Sequence, residues 1–159
     1  MLRDLCSRYY ASNCCYSAYS MQKTDCWRLI WLNLRDVALV LDTQQRVHAM
    51  PTGPGLYPQL DTQFHQFHGC VLLSEYAFNA SWSSYEMHPA GDEVLYLLSG
   101  RCELLLEQQG QTQRIPFDTP GQVQVIAKGC WHSADVRPGE SCRILFFTPG
   151  AGTEHRARR

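Results

Sequence analysis

From residue 69 onward the chain runs in short apolar or alternating stretches, rich in β-branched and aromatic side chains and separated by glycine, proline or polar breaks. Strand side chains alternate between two faces, so this pattern predicts half-buried strands rather than helices. The reading places strands at 71–78, 81–87, 93–98, 102–107, 113–117, 123–126, 132–136 and 143–147, with an earlier one at 36–42. Between the first strand and the rest, residues 50–58 hold three prolines and two glycines and predict a loop. Residues 108–111, with Gly110, mark a hairpin turn, and Gly100 ends another run where the chain must reverse. No long amphipathic helix follows residue 70. Repeated short strands with tight turns predict an all-β fold, either a sandwich or a barrel whose closure removes exposed strand edges.

The ends read differently from this central block. Residues 1–35 form an N-terminal extension whose Tyr, Cys and Ser content has no period; its first 20 residues are expected to be disordered, and Met21 offers an alternative start. Residues 151–159, closing on Arg156, Arg158 and Arg159, read as a solvated basic tail too short to argue nucleic-acid binding. That leaves 36–150 for a single domain. A formal net charge of −1 gives no pull toward nucleic acid or an anionic membrane. The most apolar stretch, 26–34, contains Arg28 and falls short of the roughly 20 residues a bilayer span needs. Residues 2–20 lack the continuous apolar region of a secretory leader. The eight cysteines contain no Cys-x-x-Cys pair, which argues against a zinc knuckle and for free thiols in a reducing cytoplasm.

Against this background Glu86, His88, Glu93 and His132 stand out. Residues two apart on a strand share a face, so Glu86 and His88 project into a barrel together while Met87 points outward. Glu93 follows a turn at 89–92, and His132 opens another strand beside Gly129. Imidazole and carboxylate together suit one divalent ion, Fe(II), Mn(II), Ni(II) or Zn(II), and two histidines with a carboxylate leave coordination positions free for other ligands.

The spacing resembles that of the cupin superfamily, and in particular its small single-domain bacterial members. The first cupin motif, Gly-x5-His-x-His-x(3,4)-Glu-x6-Gly, corresponds to Ala80-x5-Glu86-x-His88-x4-Glu93-x6-Gly100. The second, Gly-x5-Pro-x-Gly-x2-His-x3-Asn, corresponds to Gly121-x5-Ala127-x-Gly129-x2-His132-x3-Val136. Ala80, Ala127 and Val136 depart at turn or outlying positions. Glu86 departs at a histidine position, which turns the set of three histidines and a glutamate into two histidines and one or two carboxylates.

The resemblance implies a double-stranded β-helix, or jelly-roll, barrel with a divalent metal held by His88, Glu93 and His132, and by Glu86 either as a fourth ligand or as a proton acceptor. It also implies a homodimer, for which the 36–42 strand and exposed sheet edges could pair between subunits. The leading functional expectation is a small-molecule metalloenzyme, an oxygenase or a related lyase or isomerase. The competing one is a non-catalytic metal- or ligand-binding or sensing domain. His65 and His68 have no carboxylate or cysteine at ligand spacing and read as loop or interface residues. Cys130 reads as a buried inert thiol. Tyr85, Tyr96, Trp82, Trp131, Phe146 and Phe147 read as core packing that could also line a cavity.

Overall fold

The computed structural model describes residues 31–158; the expectation of a disordered leading segment lies outside them. The described elements are, in chain order, β1 (Val37–Leu41), β2 (Val47–Pro51), α1 (Leu56–Gln63), β3 (Val71–Phe78), β4 (Ser84–Met87), β5 (Glu93–Gly100), β6 (Cys102–Gln108), β7 (Gln111–Phe117), β8 (Val123–Ile126), β9 (Trp131–Asp135), β10 (Cys142–Thr148) and β11 (Glu154–Ala157). They build two antiparallel sheets, one in the order β2-β1-β3-β10-β5-β8 and the other in the order β11-β4-β9-β6-β7. The chain passes repeatedly from one sheet to the other, the connectivity of a jelly roll. Alternate residues face the space between the sheets. There Leu95 and Leu97 of β5 meet Leu104 and Leu106 of β6, Ile144 and Phe146 of β10, Phe117 and Ile126. Burying each such side chain is worth about 1.5–3 kcal/mol.

The expected strands are present, with edges shifted by up to three residues. Residues 108–111 do form the hairpin: β6 and β7 pair from Cys102↔Phe117 to Gln108↔Gln111, and Gln109 and Gly110 both take positive φ, 53° and 76°. Two positive-φ residues are what a two-residue hairpin turn needs to follow the strand twist. At Gly100, φ is 74° and a Cβ would sit 1.9 Å from the Ser141 carbonyl oxygen, so only glycine fits.

Three elements depart from the expectation. β2 was missed because the β1–β2 turn has no glycine or proline. The Asp42 carboxylate builds it, accepting the Gln44 and Arg46 amides at 2.8 and 2.9 Å, and Gln45 takes φ 61°. The loop at 50–58 holds a strand end and the start of α1. Pro58 is tolerated there because the first-turn amides of a helix have no partner to lose, and Leu56 and Leu60, one turn apart, are buried. The solvated tail is corrected to β11, which pairs with β4 from Glu154↔Met87 to Ala157↔Ser84. Its four side chains are exposed. It is held by the backbone ladder and by its arginines, Arg156 lying over the rings of Tyr85 and Trp131 at 5.1 and 4.6 Å, so no apolar periodicity announced it.

The 36–42 strand does not offer the pairing edge expected of it. As β1 it has hydrogen-bonded neighbours on both sides, and the edges of its sheet are β2 and β8. Among the described residues no helix is long and apolar enough to cross a membrane.

Candidate metal centre

Four residues distant in sequence meet between the sheets. Glu86 lies in β4 directly opposite His132 of β9 in the antiparallel ladder. His88 follows β4, and Glu93 opens β5. The turn between them is tied to the second motif: Asp92 accepts the Lys128 amide at 2.8 Å, and the His88 carbonyl accepts the Gly129 amide at 3.1 Å. Gly129 has φ 77° with open space around it, so glycine serves the backbone conformation there rather than a close approach.

Each of the four offers one nitrogen or carboxylate oxygen, and these atoms all lie within 4.8 Å of one another. His88 Nε2 is 3.3 Å from Glu93 Oε1, His132 Nε2 is 3.0 Å from Glu93 Oε2, and His132 Nε2 is 3.5 Å from Glu86 Oε1. His88, Glu93 and His132 are buried, whereas the Glu86 side chain keeps 24% of its surface exposed. Among the described residues, His88 Nε2, His132 Nε2 and Glu93 Oε2 are buried and have no partner outside the cluster. An unmet buried polar atom costs about 1–3 kcal/mol; a proton shared by His132 and Glu93 meets that need for two of the three in the metal-free protein, and one ion would meet it for all three.

The surroundings fix which nitrogen each ring presents. The Thr153 hydroxyl donates to the Gly150 carbonyl at 2.8 Å and so accepts from His88 Nδ1–H at 2.9 Å. His132 Nδ1–H donates to the Cys130 carbonyl at 3.2 Å. Both Nε2 atoms are left facing the cluster and carry the lone pair when the ring is neutral, the tautomer that second-layer partners impose on ligating histidines. The Thr148 hydroxyl donates to Glu93 Oε1, leaving Oε2 to face His132 Nε2. The residues therefore fit a divalent ion with nitrogen and oxygen ligands.

Thr153 gave no signal in sequence because it stands in the stretch read as tail. Thr153→Val keeps the shape and removes the acceptor. It is expected to weaken metal binding about 10–100-fold, as loss of an outer-shell partner does, with the fold retained; equal affinity in a competition titration would deny Thr153 this positioning role.

Charge in the cluster is balanced within it. Burial disfavours the His132 imidazolium, but the neighbouring Glu86 and Glu93 carboxylates outweigh it and raise the pKa to about 9. Burial likewise pushes Glu93 up, and His132 and His88 hold it down at about 2. A ligand nitrogen must be unprotonated. In the metal-free protein His132 carries a proton at neutral pH, so metal affinity is expected to climb with pH and level off near 9, with about one proton released per ion at pH 7. Calorimetry in buffers of different ionisation heat reads that proton directly.

The remaining sequence candidates lie elsewhere. His68 Nδ1–H bonds to the His65 carbonyl at 2.9 Å within an exposed turn, away from the cluster. Cys130 is half-buried, with its thiol donating toward the Glu107 carbonyl at 3.5 Å; Cys70, Cys102 and Cys142 are buried, and all four are free. Of the six aromatics, Trp82 and Phe146 reach the site, Tyr85 and Trp131 stack with Arg156, and Tyr96 and Phe147 are exposed.

A cavity of about 700 Å³ opens onto Glu86, His88 and Glu93. Its walls also include Tyr57 and Leu60 of α1, and Phe67, which sequence reading passed over. Phe67 arrives on a left-handed turn: His65, Gln66 and Phe67 take φ of 51°, 56° and 61° in succession. That conformation costs roughly 1–2 kcal/mol per residue, and burial of the Phe67 ring, 3% exposed, offsets part of it.

No protein-family model matches the chain, and no curated protein matches it. Among solved structures, the polyketide cyclase RemF from Streptomyces resistomycificus is similar at 25% identity, over 56% of this chain and 61% of that one, with a TM-score of 0.43. A variant of Bacillus subtilis oxalate decarboxylase is 16% identical over 55% of this chain and 23% of that one, TM-score 0.43. A cupin protein from Bacteroides fragilis is 17% identical over 52% and 66%, TM-score 0.39. This chain thus spans less than two thirds of the cyclase and of the decarboxylase. In the chain itself, two sheets in jelly-roll order bring Glu86, His88, Glu93 and His132 to one point. The fold is a jelly roll of two antiparallel sheets, and its cluster is suited to a metal ion.

Proposed function

We propose that this protein is a small-molecule metalloenzyme, an oxygenase or a related lyase or isomerase, that holds one divalent ion through His88, Glu93 and His132. The observation that carries the reading is the convergence of three buried atoms, His88 Nε2, His132 Nε2 and Glu93 Oε2, which face one another with no described partner outside the cluster, beside a cavity of ligand size. When bound, a divalent ion in such a site stabilises negative charge developing on a substrate oxygen. The protein's own part is to present two neutral imidazoles in fixed tautomers, to exclude water from Glu93, and to keep a second carboxylate at the cavity wall. That carboxylate is Glu86, which either completes the ion's ligand set or takes a proton from the bound molecule. A homodimer is part of the proposal and is read by light scattering.

The test is metal content in protein purified without chelator, followed by oxygen-uptake and turnover screens. One Fe, Mn, Ni or Zn per chain with turnover supports an enzyme. A bound metal with no turnover across substrate classes would favour the binding or sensing domain, and metal-free protein that resists loading would reject the metal centre.

A further inference from the structure

We infer that the cavity takes an uncharged, planar aromatic compound bearing an oxygen acceptor, and not a small carboxylic, keto or phosphorylated acid. The inference names a substrate class for the site just described and rests on that reading.

Two independent features point this way. The first is the wall. Tyr76, Phe78, Trp82 and Phe146 form a continuous aromatic surface, with ring centroids 5.2 Å apart for Phe78 and Trp82, and 6.0 Å for Trp82 and Phe146 and for Tyr76 and Phe146. Trp82 continues it to the cluster, meeting His132 edge to face at 6.2 Å. All four line the cavity, and Tyr57 faces Tyr76 with their hydroxyls 3.3 Å apart. Offset and edge-to-face ring contacts stabilise a bound ring beyond area burial alone. A flat ring laid on this wall lies next to the metal centre. The Trp82 indole nitrogen is also buried without an acceptor.

The second feature is charge. Among the described residues, the cavity lining contains the carboxylates of Asp61, Glu86 and Glu93 and not one lysine or arginine; outside the cluster its basic group is the exposed His155. Arg158 is engaged elsewhere, donating to the Trp82 and Ala134 carbonyls at 3.1 and 3.2 Å and pairing with Asp135 at 2.7 Å. A divalent ion among two neutral imidazoles and the Glu86 and Glu93 carboxylates makes a centre of no net charge, whether Glu86 binds the ion or stands beside it. Glutamate at position 86 thus removes the positive charge that a third neutral histidine would leave, and an anion entering the cavity finds no countercharge. A neutral phenol or ketone pays no such desolvation cost.

Calorimetric titration of 2-naphthol against 2-naphthoate compares one ring system with and without the charge, on metal-loaded and metal-stripped protein whose metal content is measured in the same samples. Metal-loaded protein is expected to bind 2-naphthol at least about tenfold more tightly. Phe78→Leu, which keeps an apolar wall and loses a ring, should weaken it about fivefold without changing metal content. Ser83→Lys, which places a cation at an exposed lining position, should close the gap by improving 2-naphthoate. Metal-loaded protein that binds 2-naphthoate or oxalate as tightly as 2-naphthol overturns the inference and leaves the metalloenzyme reading standing. A naphthol preference in protein that refuses metal upholds the aromatic site and rejects that reading. A Phe78→Leu variant with unchanged naphthol affinity removes the wall from the argument and overturns the inference.

Discussion

His88→Ala and His132→Ala are each expected to purify with less than about a tenth of the parent's bound metal, because loss of a direct ligand exceeds the roughly 10–100-fold cost of losing an outer partner. The two differ in what they leave behind. His132 is fully buried and stands 3.0 Å from Glu93 and 3.5 Å from Glu86. Removing it leaves the buried Glu93 carboxylate with one imidazole beside it, and breaking a buried charge pair costs on the order of 3–5 kcal/mol. Loss of metal in His132→Ala could therefore arise from unfolding. His88→Ala spares that contact and removes one of the two Nε2 lone pairs, so it separates the causes. A folded His88→Ala protein, judged by circular dichroism and a cooperative melt, that keeps the parental metal content would sink the proposed centre. Folded and metal-poor, it supports the centre whatever becomes of the other variant.

The strands and the centre were legible in sequence for the same reason. In a sheet buried on one face, the side-chain period of two writes burial into the order of residues, and Leu95, Leu97, Leu104, Leu106 and Ile144 follow it. Glu86 and His88 carry the same period in polar form. The pieces that escaped are held by other means. β2 hangs on the Asp42 turn, β11 on backbone pairing and stacked arginines, and α1 on two leucines around a proline. None of these produces an apolar rhythm. The cost to the functional reading was specific: Thr153 orients His88, and Tyr57 and Phe67 wall the cavity, yet all three stand in segments without a periodic signal. Tyr76 and Phe78 sat in a correctly read strand. Their place on the cavity wall depends on Trp82 folding back from the β3–β4 loop and Phe146 arriving from β10, which the strand period does not contain.

Glu86 is where this chain departs from the cupin pattern, and substitution there is expected to divide its two roles. Its side chain is the most exposed of the four, and it approaches His132 at 3.5 Å rather than the 3.0 Å of Glu93. As a ligand it contributes a full negative charge to the ion, so Glu86→Gln should weaken metal binding and Glu86→His should restore affinity as a third imidazole. As a proton acceptor it leaves the ion alone. Metal content then survives Glu86→Gln while turnover falls by about 10²–10⁴, the usual contribution of a positioned general base. Parental metal affinity together with parental turnover on an identified substrate would make Glu86 a bystander and reduce the centre to His88, Glu93 and His132. The histidine variant also bears on the charge argument. If it keeps one divalent ion, the centre changes from neutral to a net charge of +1, and 2-naphthoate binding should rise while 2-naphthol binding changes little. A Glu86→His protein that loads metal and still rejects the carboxylate would show that the charge of the centre is not what excludes the acid, and would overturn the countercharge argument.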